Sequence, residues 1–222
     1  MKKQTPQQML LYLFLSAGVS LFAQETSFEK YATPTAVSLL QTLPGLPPSG
    51  RNGSYLGEVV TGLGDVNADG YADWALGLRD AAIYPSGKKT GKVYIYFGNN
   101  APAHEKNPDI TLNGEGDADS FGASVAGAGD VNGDGFADVI VGASWNSAGA
   151  LRAGRAYIFF GGVNMDNRAD VVFTGEAVYD HFGSSVASAG DVNNDGFSDV
   201  IVGAYLNEAS QRDAGRAYLY FG

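Results

Sequence analysis

Cysteine is absent from the 222 residues. That excludes disulfide stapling, thiol catalysis and any Cys-ligated metal. Histidine occurs only at His104 and His181, so an imidazole-based metal centre has almost nothing to draw on. Basic residues are scarce as well: 14 Lys and Arg stand against 24 Asp and Glu, for a formal net charge of −10. A surface of this sign disfavours nucleic acid and anionic membranes as partners. No Gly-x-Ser-x-Gly elbow occurs and no acid–base pair stands out, so the chain does not read as an enzyme.

Long apolar runs are missing except at the start. Lys2 and Lys3 precede a stretch from Met9 to Phe22 that is interrupted by Ser16, Gly18 and Ser20 and ends at Ala23. It falls short of the roughly 20 apolar residues that a membrane span needs. Residues 1–23 therefore read as a secretory signal, which makes the protein secreted or displayed at the cell surface, with no span in the mature chain. Lacking cysteine, the mature N-terminus cannot carry a lipid anchor of the thioether kind. Residues 24–53 contain Pro44, Pro47 and Pro48 and read as a linker, with a strand-like run from Ala36 to Leu40 that could pair with an open sheet edge.

What the chain has in abundance is glycine, 31 residues, together with 45% hydrophobic content. Without a Gly-X-Y period, that combination describes many short strands joined by tight turns around a packed core. The stretch Gly-Asp-Val-Asn-x-Asp-Gly-aromatic-x-Asp occurs three times, with its first aspartates at Asp65, Asp130 and Asp191, so the spacings are 65 and 61 residues. Each copy sits in the same order of elements. An aromatic-Gly opening (Phe121-Gly122, Phe182-Gly183; Leu56-Gly57 in the first) leads into a small-residue strand and then the acidic loop. An apolar strand such as Asp138 to Ala143 follows, then a polar loop, then a third strand such as Arg155 to Phe160. Shorter runs from Asp109 to Leu112 and from Asp170 to Thr174 supply a fourth, edge-like strand in the first two copies; the third copy shows none. Continuous apolar second and third strands imply cover on both faces.

The acidic loops carry the chemistry. By alternation along each loop, side-chain oxygens come from Asp65, Asn67 and Asp69, from Asp130, Asn132 and Asp134, and from Asp191, Asn193 and Asp195. Tyr71, Phe136 and Phe197 would add a backbone carbonyl, and Asp73, Asp138 and Asp199 would close each site at position nine. Carboxylates this crowded repel one another by roughly 1–4 kcal/mol per pair unless a cation lies among them. An all-oxygen, flexible loop favours calcium over magnesium, and zinc would want His or Cys. About three Ca²⁺ sites are expected. Position twelve of an EF-hand loop would be Leu76, Val141 or Val202 here, not glutamate, which excludes that motif. A turn in which Asp and Asn side chains merely hold backbone amides is the competing reading.

Four short antiparallel strands repeated about every 60 residues describe propeller blades. Phe-Gly, then Gly-Asp-Val-Asn-x-Asp-Gly-x-x-Asp, then Val-Gly-Ala resembles the FG-GAP repeat of the integrin α-subunit β-propeller and its bacterial relatives. The expected fold is therefore an all-β propeller, with about three blades over residues 54–118, 119–179 and 180–222. Since propellers close with about four to eight blades, further blades of a longer chain or of another copy would have to complete it. The resemblance implies adhesion or the binding of an extracellular protein or glycan, with specificity in the loops Arg79–Thr90, Trp145–Ala153 and Tyr205–Ala214. The rival expectation is the non-catalytic part of a larger secreted hydrolase or lyase. Trp74 and Trp145 are expected to pack, with exposed stacking platforms as the alternative, and His181 is expected at a blade junction.

Overall fold

A computed structural model describes residues 56–81, 87–99, 107–208 and 214–222, all within one compact unit, Gln41–Gly222. The signal, the linker and its strand-like run lie outside the described residues, as do parts of two of the variable loops. Among the described residues there is no helix. Eleven strands form three antiparallel meanders. The first is β1 (Val59–Gly64), β2 (Asp73–Leu78), β3 (Lys92–Tyr96) and β4 (Ile110–Asn113); the second is β5 (Phe121–Gly129), β6 (Asp138–Ala143), β7 (Arg155–Phe159) and β8 (Val171–Thr174). The third is β9 (Phe182–Gly190), β10 (Asp199–Ala204) and β11 (Arg216–Tyr220), in the order β11-β10-β9. This is the expected blade pattern, with the fourth strand present in the first two sheets and not in the third.

The residue types explain the layering. In β6 the sequence Asp-Val-Ile-Val-Gly-Ala is buried at every position. Its alternate side chains serve two different cores, because successive strand residues point to opposite faces. Val139 and Val141 face the first sheet, in a cluster with Ala75, Val93, Ile95 and Phe121. Ile140, with Ala156 and Ile158 of β7, faces the third sheet and meets Phe182, Val200 and Val202. Burying one such side chain is worth roughly 1.5–3 kcal/mol. The fourth strand is different: β8 alternates half-buried with exposed residues, as an edge does.

Backbone contact locks the sheets at their junctions. A Cβ placed on Gly77 would collide with the Gly122 carbonyl, and one on Gly142 with the Gly183 carbonyl. In the first two sheets the glycine of the second strand thus admits the Phe-Gly turn of the next sheet. Gly91 bridges to Phe121 and Gly154 to Phe182 in parallel fashion, stitching the same junctions with hydrogen bonds. The first sheet departs from the repeat at Leu78, yet Leu78 is buried and Gly77 keeps its approach to the next sheet.

Replacing Gly142 with Ala is expected to cost about 3 kcal/mol or more, the upper end for overpacking, since a rigid carbonyl would have to give way. Gly135→Ala, at φ +90° with open space around it, should cost no more than the roughly 1–2 kcal/mol of a left-handed residue. Urea unfolding of the two variants would rank them, and a milder loss at Gly142 would contradict the close approach.

Candidate functional site

Each acidic loop joins the first two strands of a sheet, and the three loops fold alike. In the first, both oxygens of Asp65 accept backbone amides, from Asp69 at 3.1 Å and Gly70 at 2.9 Å. The same Asp69 amide lies 3.1 Å from the Asn67 Oδ1, so an Asp65 oxygen and an Asn67 oxygen flank one point. Asp69 in turn accepts the Tyr71 amide at 2.9 Å and the Asn67 amide group at 3.0 Å. The second loop repeats this through Asp130, Asn132, Asp134 and Phe136. The third does so through Asp191, Asn193, Asp195 and Phe197. Of the aromatic rings at position seven, Tyr71 and Phe197 are partly exposed, and the Phe197 ring lies against Gly133 of the preceding loop.

The position-nine aspartates occupy a different environment. Asp138 and Asp199 are fully buried and Asp73 nearly so. Each spreads its two oxygens between two amides far apart in sequence. Asp73 takes Val66 at 2.8 Å and Gly98 at 2.7 Å; Asp138 takes Val131 and Gly161, both at 2.8 Å. Asp199 takes Val192 at 2.7 Å and Gly222 at 3.1 Å. The carboxylate therefore clips the acidic loop to the end of the third strand. Burial pushes the Asp138 carboxyl up to about 6; the amides of Gly161 and Val131 oppose this, while Asp134 and Asp130 add to it. Asp73 is raised for the same reason, with Asp69 and Asp65 contributing.

Among the described residues, no three acidic or imidazole side chains converge closely enough to make a ready cage for a metal. The donors nonetheless fit a hard cation in kind: every one is an oxygen, positions one, three and five share a single turn, and position nine feels their charge. Adjacent loops are also joined. The Asp65 carbonyl accepts the Ala137 amide at 3.2 Å, and the Asp130 carbonyl accepts the Ser198 amide at 2.8 Å, so position one of a loop holds position eight of the next.

Sequence reasoning passed over a second repeated constellation. At the opposite end of the second sheet, the Asn146 amide donates to Asp119 at 2.6 Å and to the Tyr157 hydroxyl at 3.3 Å. That hydroxyl donates to Glu115 at 3.1 Å, and Arg155 pairs with Glu115 at 2.8 Å. The third sheet repeats it with Asn207, Asp180, Tyr218, Glu176 and Arg216. The signal was present as Gly-Glu ahead of each Asp-x-Phe-Gly, with an asparagine 27 residues after that aspartate.

Comparison with known proteins now decides the family. The family model described as FG-GAP repeat matches residues 121–159 and 182–220. This is an FG-GAP repeat chain. The FG-GAP chain is 31% identical over 197 residues, 86% of its length, to integrin alpha-5 of Xenopus laevis, covering 17% of that protein. It is 33% identical to integrin alpha-6 of Gallus gallus, over 66% of this chain and 13% of that one. Phosphatidylinositol-glycan-specific phospholipase D of Homo sapiens is 30% identical over 65% of this chain and 17% of its own. The FG-GAP chain thus spans less than a fifth of the length of these curated relatives. The second and third sheets coincide with the matched FG-GAP repeats, and the three sheets of the described residues fit a β-propeller, fewer than the roughly four to eight blades that close a ring.

The raised position-nine carboxyls set a pH dependence. A carboxyl whose folded-state pKa is about 6, above its unfolded value near 4, destabilises the folded state fully above about pH 6, and the cost is relieved as protons bind. In chelator, the stability that Asp138 withholds should therefore return as pH falls from about 6 toward 4, below the folded value and down to the unfolded one. Chemical unfolding at closely spaced pH values tests this: a difference between wild type and Asp138→Asn that stays constant across the window would refute it.

Proposed function

We propose that this chain is an exported, calcium-braced propeller module that binds an extracellular protein or glycan and serves adhesion. The observation that carries it is the threefold recurrence of one acidic loop with one hydrogen-bond pattern, each backed by a buried carboxylate whose own hydrogen bonds come from backbone amides. Asp65, Asn67, Asp69, Asp73 and the Tyr71 carbonyl would hold the first ion. Asp130, Asn132, Asp134, Asp138 and the Phe136 carbonyl would hold the second; Asp191, Asn193, Asp195, Asp199 and the Phe197 carbonyl the third. Calcium supplies charge neutralisation and stiffness, contributing to folding in place of catalysis. With the hairpins fixed, the loops at the other end of the blades present a rigid surface, and specificity lies there. Similarity to integrin α-subunits supports the adhesive role, although fold alone does not set function.

A second reading has the same module as the non-catalytic part of a larger secreted hydrolase or lyase, and similarity to a phospholipase D favours it. On either reading this chain braces and binds and has no hydrolytic activity of its own.

Titration calorimetry and thermal melts with calcium, magnesium and chelator test the proposal. Calcium should bind at about three sites and raise the melting temperature, with about 2.7 kcal/mol per site at a hundredfold excess over Kd. Magnesium should do less. Asp65→Asn, Asp130→Asn and Asp191→Asn combined should abolish the shift. A melt indifferent to calcium, with no heat of binding, would dismiss calcium bracing.

A proton bound at Asp138 competes with the cation for the same oxygens. Calcium affinity of the second site should consequently weaken as pH drops through about 6. Flat affinity between pH 7.5 and 5.5 would rule out Asp138 as a ligand.

A further inference from the structure

At the end of the blades opposite the acidic loops, the junction of the second and third sheets carries an aromatic patch with an arginine at its centre. Trp145, Tyr179 and Tyr205 are 43%, 47% and 56% exposed, and Leu151 and Val178 are 53% exposed each. Hydrogen bonds gather them: the Tyr179 amide donates to the Leu151 carbonyl at 2.9 Å, and the His181 amide to the Arg152 carbonyl at 3.2 Å. The Arg152 guanidinium lies 4.6 Å over the Trp145 ring, and the His181 ring lies 5.3 Å from that of Tyr205.

Two features separate this patch from ordinary surface. Arg79, Arg155 and Arg216 each pair with a glutamate. Arg152 and Arg168 pair with no carboxylate among the described residues, in a chain of net charge −10, and of these two only Arg152 lies over an aromatic ring. An arginine stacked on an indole keeps its planar edge available for a carboxylate while losing its freedom to wander. Backbone strain also concentrates here: Arg152, Tyr179 and His181 adopt φ of +50°, +65° and +53°. At the preceding junction the last two positions hold Ala118 and Ser120 in the same conformation. The turn therefore does not require bulky side chains, and strain held by large residues at one place points to function. His181 is buried, and desolvation, with Arg152 nearby, lowers its pKa and favours the neutral ring, which leaves the arginine as the cation that the patch presents.

We propose that this patch docks an acidic peptide segment of a protein partner, with Arg152 taking an Asp or Glu carboxylate and Trp145, Tyr179 and Tyr205 taking its apolar neighbours. Tyr, Trp and Arg together are the composition of protein–protein hot spots. The exposed aliphatics Leu151 and Val178 favour a peptide over a sugar, since they offer a glycan neither a stacking face nor a hydrogen bond. This deepens the binding-module reading and rests on it.

A random twelve-residue peptide library, selected on the whole chain, tests the proposal. Enriched peptides should carry Asp or Glu beside an aromatic or aliphatic residue. For the strongest synthesised peptide, changing its acid to the amide, or Arg152→Gln in the protein, should each weaken binding tenfold or more without moving the melting temperature. Arg152→Lys should restore only part, and Trp145→Ala should weaken binding severalfold. Enriched peptides without acids, or equal binding by Arg152→Gln, would overturn the docking proposal and leave a binding module in place. Binding of tetragalacturonate with no peptide enriched would overturn it in favour of a glycan. If the wild type holds neither peptide nor tetragalacturonate, the docking proposal and the binding-module reading fall together.

Discussion

The constraint on which the rest of this structure depends is a carboxylate sealed inside each blade. Asp73, Asp138 and Asp199 each reach two backbone amides, one in the acidic loop and one just past the third strand, more than twenty residues away. Without that clip, the hairpin between the first two strands and the end of the third would have no common anchor. At Asp73 and Asp138 the same burial makes the anion costly, because neutral amides offset its desolvation only in part. The fold has thus placed a buried carboxyl at the base of every blade, next to further carboxylates one turn away. Protonation or a cation can relieve that position, and the loops supply oxygens suited to the second.

The two ends of each blade consequently do different work. One end gathers the acidic hairpins and the ends of the third strands. The other gathers the turns before each Phe-Gly and the loops between second and third strands, where Asp119, Asn146, Tyr157, Glu115 and Arg155 form a connected polar chain across a sheet junction. Burial raises Asp119 above the usual carboxylate range and the Tyr157 hydroxyl well above its own. Hydrogen bonds that satisfy such groups fix one arrangement of neighbouring blades in place of several. Variation in the exposed loops beyond this chain can then alter the surface without disturbing the junction.

Much of the fold was legible in the sequence because each element is announced by short, adjacent residues. Phe-Gly, the acidic loop and Val-Gly-Ala recur in one order, and the strands follow that order within a residue or two. The glycine pairs were legible as motif and became intelligible as contact only when Gly142 met the Gly183 carbonyl. The loops' donor residues were equally plain, since they lie within nine positions. What could not be read was long-range. The amide that meets Asp73 belongs to Gly98, and nothing in either residue's surroundings advertises the other. The polar chain from Glu115 to Tyr157 spans 42 residues and consists of common letters. Trp145 was expected to pack; it stands exposed under Arg152, because the loop after β6 turns outward before the strand alternation would have buried it.

One feature of the acidic end has a mechanical consequence. The Asp65 carbonyl holds the Ala137 amide, and the Asp130 carbonyl holds the Ser198 amide, so the three hairpins form a lateral chain of main-chain bonds running across the sheets. Pulling one hairpin outward stretches its neighbour before it frays the strands beneath. Tension entering at any single blade is shared sideways along this chain, and the rim behaves as a linked strip, not as a row of separate fingers.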